Sequence, residues 1–170
     1  MKISNLVSGL IMVSVSSMVV AEAKIVDTPY QEEQKVLFDF YLDEPAEIGS
    51  ALYWVRSFFH PLIGPPRSYA PDFMNIIVLI HGTEIVTLAK KNQSRYKTEV
   101  QRMEYYADLG VKFKVCGLAM GDYGYVPKDF YDFVEIVPSG ITELAHWQQQ
   151  GYAIIQPTIL SKKYTIDEIR

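Results

Sequence analysis

Five short apolar runs, spaced along the chain, constrain its fold more than any other feature. They are KVLFDFYL (Lys35–Leu42), MNIIVLI (Met74–Ile80), VKFKV (Val111–Val115), VEIV (Val134–Val137) and YAIIQ (Tyr152–Gln156). In the first, Val36, Phe38, Phe40 and Leu42 alternate with Leu37, Asp39 and Tyr41, so both faces of such a strand are largely apolar. A strand of that kind has to be covered on two sides, as in the interior of a parallel sheet.

The intervening segments read as helices. Asp43-Glu44-Pro45 is a helix start, with acids at the cap and proline in the first turn. Ile48, Leu52, Val55 and Phe59 then recur on one helical face, and Pro61 is expected to end the helix. A proline-rich loop follows, and IVTLAKKN after His81-Gly82-Thr83-Glu84 reads as a helical turn. Ser94 opens a second helix with an apolar stripe of Tyr96, Val100, Met103 and Ala107, stopped by Gly110. MGDYGYVP, beside Cys116, reads as a flexible aromatic flap. Pro127 opens a short turn, and Ser139-Gly140 caps a helix that stops at Gly151. Strands alternating with helices predict an α/β domain: a three-layer, five-stranded, mostly parallel sheet with helices on both faces.

The first residues are a separate matter. Lys2 precedes the serine-diluted apolar run Leu6–Val20, and Ala21-Glu22-Ala23 places small residues where a signal peptidase reads them. The expected organisation is a signal peptide over 1–23, an N-terminal linker over 24–34 and an α/β domain over 35–170. Read as an anchor, the apolar run is short, since a span needs roughly 20 apolar residues. A periplasmic protein, with no membrane association after signal removal, is the expectation.

Sixteen basic against twenty acidic residues give a net charge of -4, and no basic stripe stands out. Nucleic acid is excluded as a partner on that ground, because phosphate binding needs concentrated positive charge. The chain has one cysteine, Cys116, although exported domains mostly use cysteines in pairs. An internal disulfide is therefore impossible. The thiol is buried and inert, free and reactive, or paired with another molecule.

In a parallel sheet the strand C-termini share one rim, and ligands bind there. That rim would collect the end of the first strand near Asp43, His81-Gly82-Thr83-Glu84, Cys116-Gly117 and Ser139-Gly140. Cys116 is a candidate nucleophile or sulfur carrier, and His81 a candidate base or cation beside it. Gly82, Gly117, Ser139 and Gly140 are candidate anion- or ligand-binding positions, the last two at a helix start with free backbone N–H groups. The bland alternatives are a packed cysteine and a histidine bonded to a carbonyl. Cys116 with His81 and His146 has no close ligand pair of the metal-binding kind, so neither a metal nor a cofactor is expected.

The stretch VKFKVCGLAMGDYGYVPKDFYDFVEIVPSGITELAHWQQQGYAII, with IIVLIHGTEIVTLAKK before it, resembles the DsrE/DsrF-like family. The resemblance runs from Lys35 to about Gln156. It rests on the order of pieces: a cysteine ending the third strand, a proline-initiated turn, and a helix ending in glycine before a final strand. It implies a three-layer α/β fold assembled as a homotrimer or homohexamer. It also implies that Cys116 matches the cysteine that carries a persulfide in sulfur-relay members, exchanging sulfur with a donor or acceptor protein or a small sulfur species. Two readings therefore stand: a periplasmic sulfurtransferase-like carrier, or a non-enzymatic oligomeric binding protein with a buried structural cysteine.

Overall fold

The apolar runs form one sheet in the computed structural model, which describes residues 22–170. The expected signal segment, apart from Glu22 and Ala23, lies outside the described residues. Residues 22–33 contain no helix or strand, and Gln31–Arg170 forms one compact unit. The strands are β1 (Gln34–Phe40), β2 (Met74–Ile80), β3 (Lys112–Cys116), β4 (Val134–Val137) and β5 (Ala153–Ile155). Their order across the sheet is β4-β3-β2-β1-β5, and every neighbouring pair is parallel. The two most apolar runs, β1 and β2, therefore sit inside the sheet, as strands buried on both faces should.

One face packs under α1 (Ile48–Ile63) and α2 (Gln93–Asp108). Phe38, Phe40, Ile76, Val78, Phe113 and Val115 meet Ile48, Leu52, Val55 and Phe59 in this main core. Each such side chain removed from water contributes about 1.5–3 kcal/mol. The α2 stripe holds Tyr96, Val100 and Met103 as expected, with Tyr106 buried where the spacing pointed to Ala107. The other face carries Leu37, Ile77, Leu79 and Val137, packed by Leu144 and Trp147 of α4 (Gly140–Gln149). Two charged residues, Asp39 and Lys114, are buried on that face. Lys114 Nζ lies 2.5 Å from Glu135 Oε2 and 5.6 Å from the Trp147 ring centroid.

Three local readings change. Pro61 does not end α1, which runs on to Ile63 and closes with Gly64 N–H donating to His60 O. Proline removes one donor and crowds the preceding turn, but Leu62 is buried and packing carries the last turn through. Residues 83–92 form two 3-10 segments, Thr83–Leu88 and Lys90–Asn92. The flap is half folded: Met120, Gly121 and Asp122 belong to α3 (Gly117–Asp122), which follows β3 directly. Tyr125 is buried edge-on against Phe130, with Lys91 Nζ 4.5 Å over its ring.

Candidate functional site

Alternation along the strands decides which side chains share the thinner face. On β1 Leu37 and then Asp39 point there, on β2 Ile77, Leu79 and then His81, on β3 Lys114 and then Cys116. Ile80 pairs with Val115, so the residues after them, His81 and Cys116, take adjacent positions on neighbouring strands. Cys116 in turn pairs with Val137, two residues before Ser139. The strand order thus brings His81, Cys116 and the start of α4 to one stretch of rim.

His81 is held by its neighbours on three sides. Its Nε2 lies 2.6 Å from Asp39 Oδ1, and both side chains are about nine-tenths buried (11% and 12% exposed). Tyr41 stacks on the imidazole with centroids 4.9 Å apart. Gly140 backs the ring: a Cβ there would stand 2.9 Å from His81 Cγ, closer than real carbon atoms approach. The candidate ligand position Gly140 therefore serves first as a close approach of α4 to the histidine.

Glu84 fixes the backbone below. Its carboxylate accepts from Leu42 N (3.0 Å), His81 N (3.1 Å) and Gly82 N (2.9 Å) while the residue is fully buried. Burial raises the pKa of this carboxyl above its usual range, against the lowering effect of those N–H donors. Gly82 must be glycine here, since a Cβ would sit 2.6 Å from Leu42 N.

The thiol lies next door and under cover. Cys116 is 6% exposed and caps α3, where its Sγ accepts from Ala119 N at 3.5 Å. Gly117 lets β3 lie against β4, because a Cβ would stand 2.9 Å from Val137 O. Ser139 precedes α4 without a side-chain capping bond.

A cleft of about 220 Å³ opens at this rim, lined by Tyr41, Asp43, His81, Thr83, Asp122 and Tyr123 among others. Gly82 and Ala119 contribute to its wall, whereas Cys116 does not. No hydrogen bond links His81 to Cys116 among the described residues. His146 stands apart, exposed and edge-on to Trp147, and no group of three or more potential metal ligands occurs among the described residues.

The DsrE/DsrF-like family model matches residues 27–157. The chain belongs to the DsrE/DsrF-like family. A solved protein of unknown function from Methanobacterium thermoautotrophicum is similar to this DsrE-family chain at 22% identity, covering 74% of this chain and 100% of its own, with a TM-score of 0.59. At that identity the likeness concerns the fold, and it agrees with the three-layer parallel architecture. A search of curated proteins finds no match.

Sequence reasoning placed His81 and Cys116 on one rim, with the first strand ending there near Asp43; it read Asp43 as a helix cap rather than a cleft residue, and it missed Asp39, Tyr41 and Asp122. Asp39 did leave a signal. A carboxylate inside a strand apolar on both faces needs a buried partner, and His81 was the residue able to supply one. Glu84 left a weaker signal, since nothing in HGTE says that its side chain turns back to collect three N–H groups.

Proposed function

We propose that this DsrE-family protein is a periplasmic sulfur carrier, loaded as a persulfide on Cys116. The observation that supports this most is the position of the thiol, which ends β3 and caps α3 beside His81 on the C-terminal rim. Family membership suggests the chemistry, since sulfur relay is the activity DsrE relatives are associated with. The thiolate of Cys116 attacks the outer sulfur of a donor R–S–SH. The Cys116 S–S bond forms, the donor S–S bond breaks, and R–S⁻ leaves and takes up the proton that Cys116 gave up. Passing the sulfur on repeats the exchange, with an acceptor thiolate attacking the outer sulfur. No net oxidation occurs in either step.

A second reading has its own support. Cys116 is 6% exposed and does not line the cleft, as expected of a buried structural cysteine in a binding protein. One experiment separates the two. Intact mass after incubation with a sulfane-sulfur donor should rise by one sulfur, and the rise should vanish in Cys116→Ser. If the wild-type chain takes up nothing, and its thiol reacts with maleimide only after denaturation, the binding-protein reading stands instead.

A further inference from the structure

His81 commits one ring nitrogen to the fold and leaves the other open. Nε2 is held by Asp39 at 2.6 Å. Nδ1 has no hydrogen-bond partner among the described residues. It is not sealed in either: Nδ1 is not among the buried side-chain atoms without a partner in the described residues, and His81 lines the cleft. An ionised carboxylate only accepts, so Asp39 keeps the hydrogen on Nε2 and the lone pair on Nδ1.

The cleft has a definite charge. Asp43 and Asp122 line it, no lysine or arginine does, and neither aspartate makes an ion pair among the described residues. The Thr83 hydroxyl is already donating to Leu42 O at 2.9 Å. Two tyrosines, Tyr41 and Tyr123, complete the wall. Acceptors, negative charge and aromatic faces suit an ammonium group and repel an anion.

We propose that the Asp39–His81 pair handles the proton for a small persulfide or thiol bearing an ammonium group, bound in the Tyr41–Tyr123 cleft in preference to an inorganic sulfur anion. This rests on the sulfur-carrier reading and names its substrate class. Ala119, whose N–H holds the Cys116 Sγ, is part of the cleft wall, so the step requires Sγ to leave Ala119 N and turn into the cleft; Nδ1 then takes the proton as Cys116 becomes the attacking thiolate, and returns it to R–S⁻. The sum is R–S–SH plus Cys116–SH giving R–SH plus Cys116–S–SH, with atoms and electrons balanced and no oxidant required. His81 transfers the proton, and Asp39 is a positioning residue.

The test compares cysteamine persulfide with thiosulfate as loading donors. The ratio of their rates should fall about tenfold in the Asp43→Asn/Asp122→Asn variant, whose two sites are exposed. Loading by the persulfide should fall about 100-fold in His81→Gln and at least about tenfold in Asp39→Asn. In Asp39→Asn the ¹⁵N spectrum of the His81 ring should also move from one tautomer to a mixture. An unchanged donor ratio overturns the substrate class, and an unchanged rate and ring spectrum in Asp39→Asn overturn the dyad. Failure of both donors to load Cys116 overturns the carrier reading instead. The cleft is then decided by titrating cysteamine into the Cys116→Ser chain. A saturable shift of the His81 ring supports the site, and an unmoved ring overturns it.

Discussion

Glu84 is a fully buried carboxylate holding the N–H groups of Leu42, His81 and Gly82, and so it sets the backbone from which His81 projects. In Glu84→Gln the amide nitrogen turns a donor toward donors, leaving at least one buried N–H unpaired. The expected loss is about 1–3 kcal/mol, read from the denaturant midpoint. The pH dependence has a definite sign. Burial raises the folded-state pKa of Glu84, so the folded chain holds its proton more tightly than the unfolded chain does. The associated stability is complete below the ordinary carboxylate pKa and is lost as pH rises through the raised folded value. The wild type should show this decline, and Glu84→Gln should lack the part due to residue 84. Identical slopes in the two proteins would show that Glu84 does not titrate this way.

Between elements, the decisive approach is that of α4 to the end of β2. Gly140 touches the His81 ring with no side chain between, so Gly140→Ala has to push α4 or the imidazole aside. A cost of about 1–3 kcal/mol is expected, with a displaced His81 ring signal that checks where the strain went. Unchanged stability and an unmoved ring would contradict so tight a contact. This scale also shows what the sequence disclosed. Strand and helix periods were legible because burial on one or two faces imposes them: Ile48, Leu52, Val55 and Phe59 all point into the core. The extension of α1 past Pro61 was not, because it depends on where Leu62 packs. The Asp39–His81 bond was not legible either. It joins residues 42 apart in sequence, and only the β1–β2 register makes them neighbours.

For the whole molecule, the two faces of the sheet are unequally covered. Two sixteen-residue helices pack on one and the ten-residue α4 on the other, and around the rim Leu118 of α3, Val126 and Ile141 of α4 are exposed. We propose that copies of the chain associate as a homotrimer or homohexamer. Light scattering at micromolar concentration should give a mass of three or six chains, and a monomer would contradict this. The strand order has a further consequence, for a chain that emerges amino end first. β1, made first, finishes in the interior with β2 on one side and β5 on the other. β2, β3 and β4 can be laid down outward in the order of synthesis. The far flank of β1 stays an open edge, able to template stray strands, until the three residues of β5, the last strand of the sheet, have been made. Closing that seam is the final topological act of making this sheet, so a chain cut short before residue 153 would keep the rim that carries His81 and Cys116 and lose its protection against pairing with others.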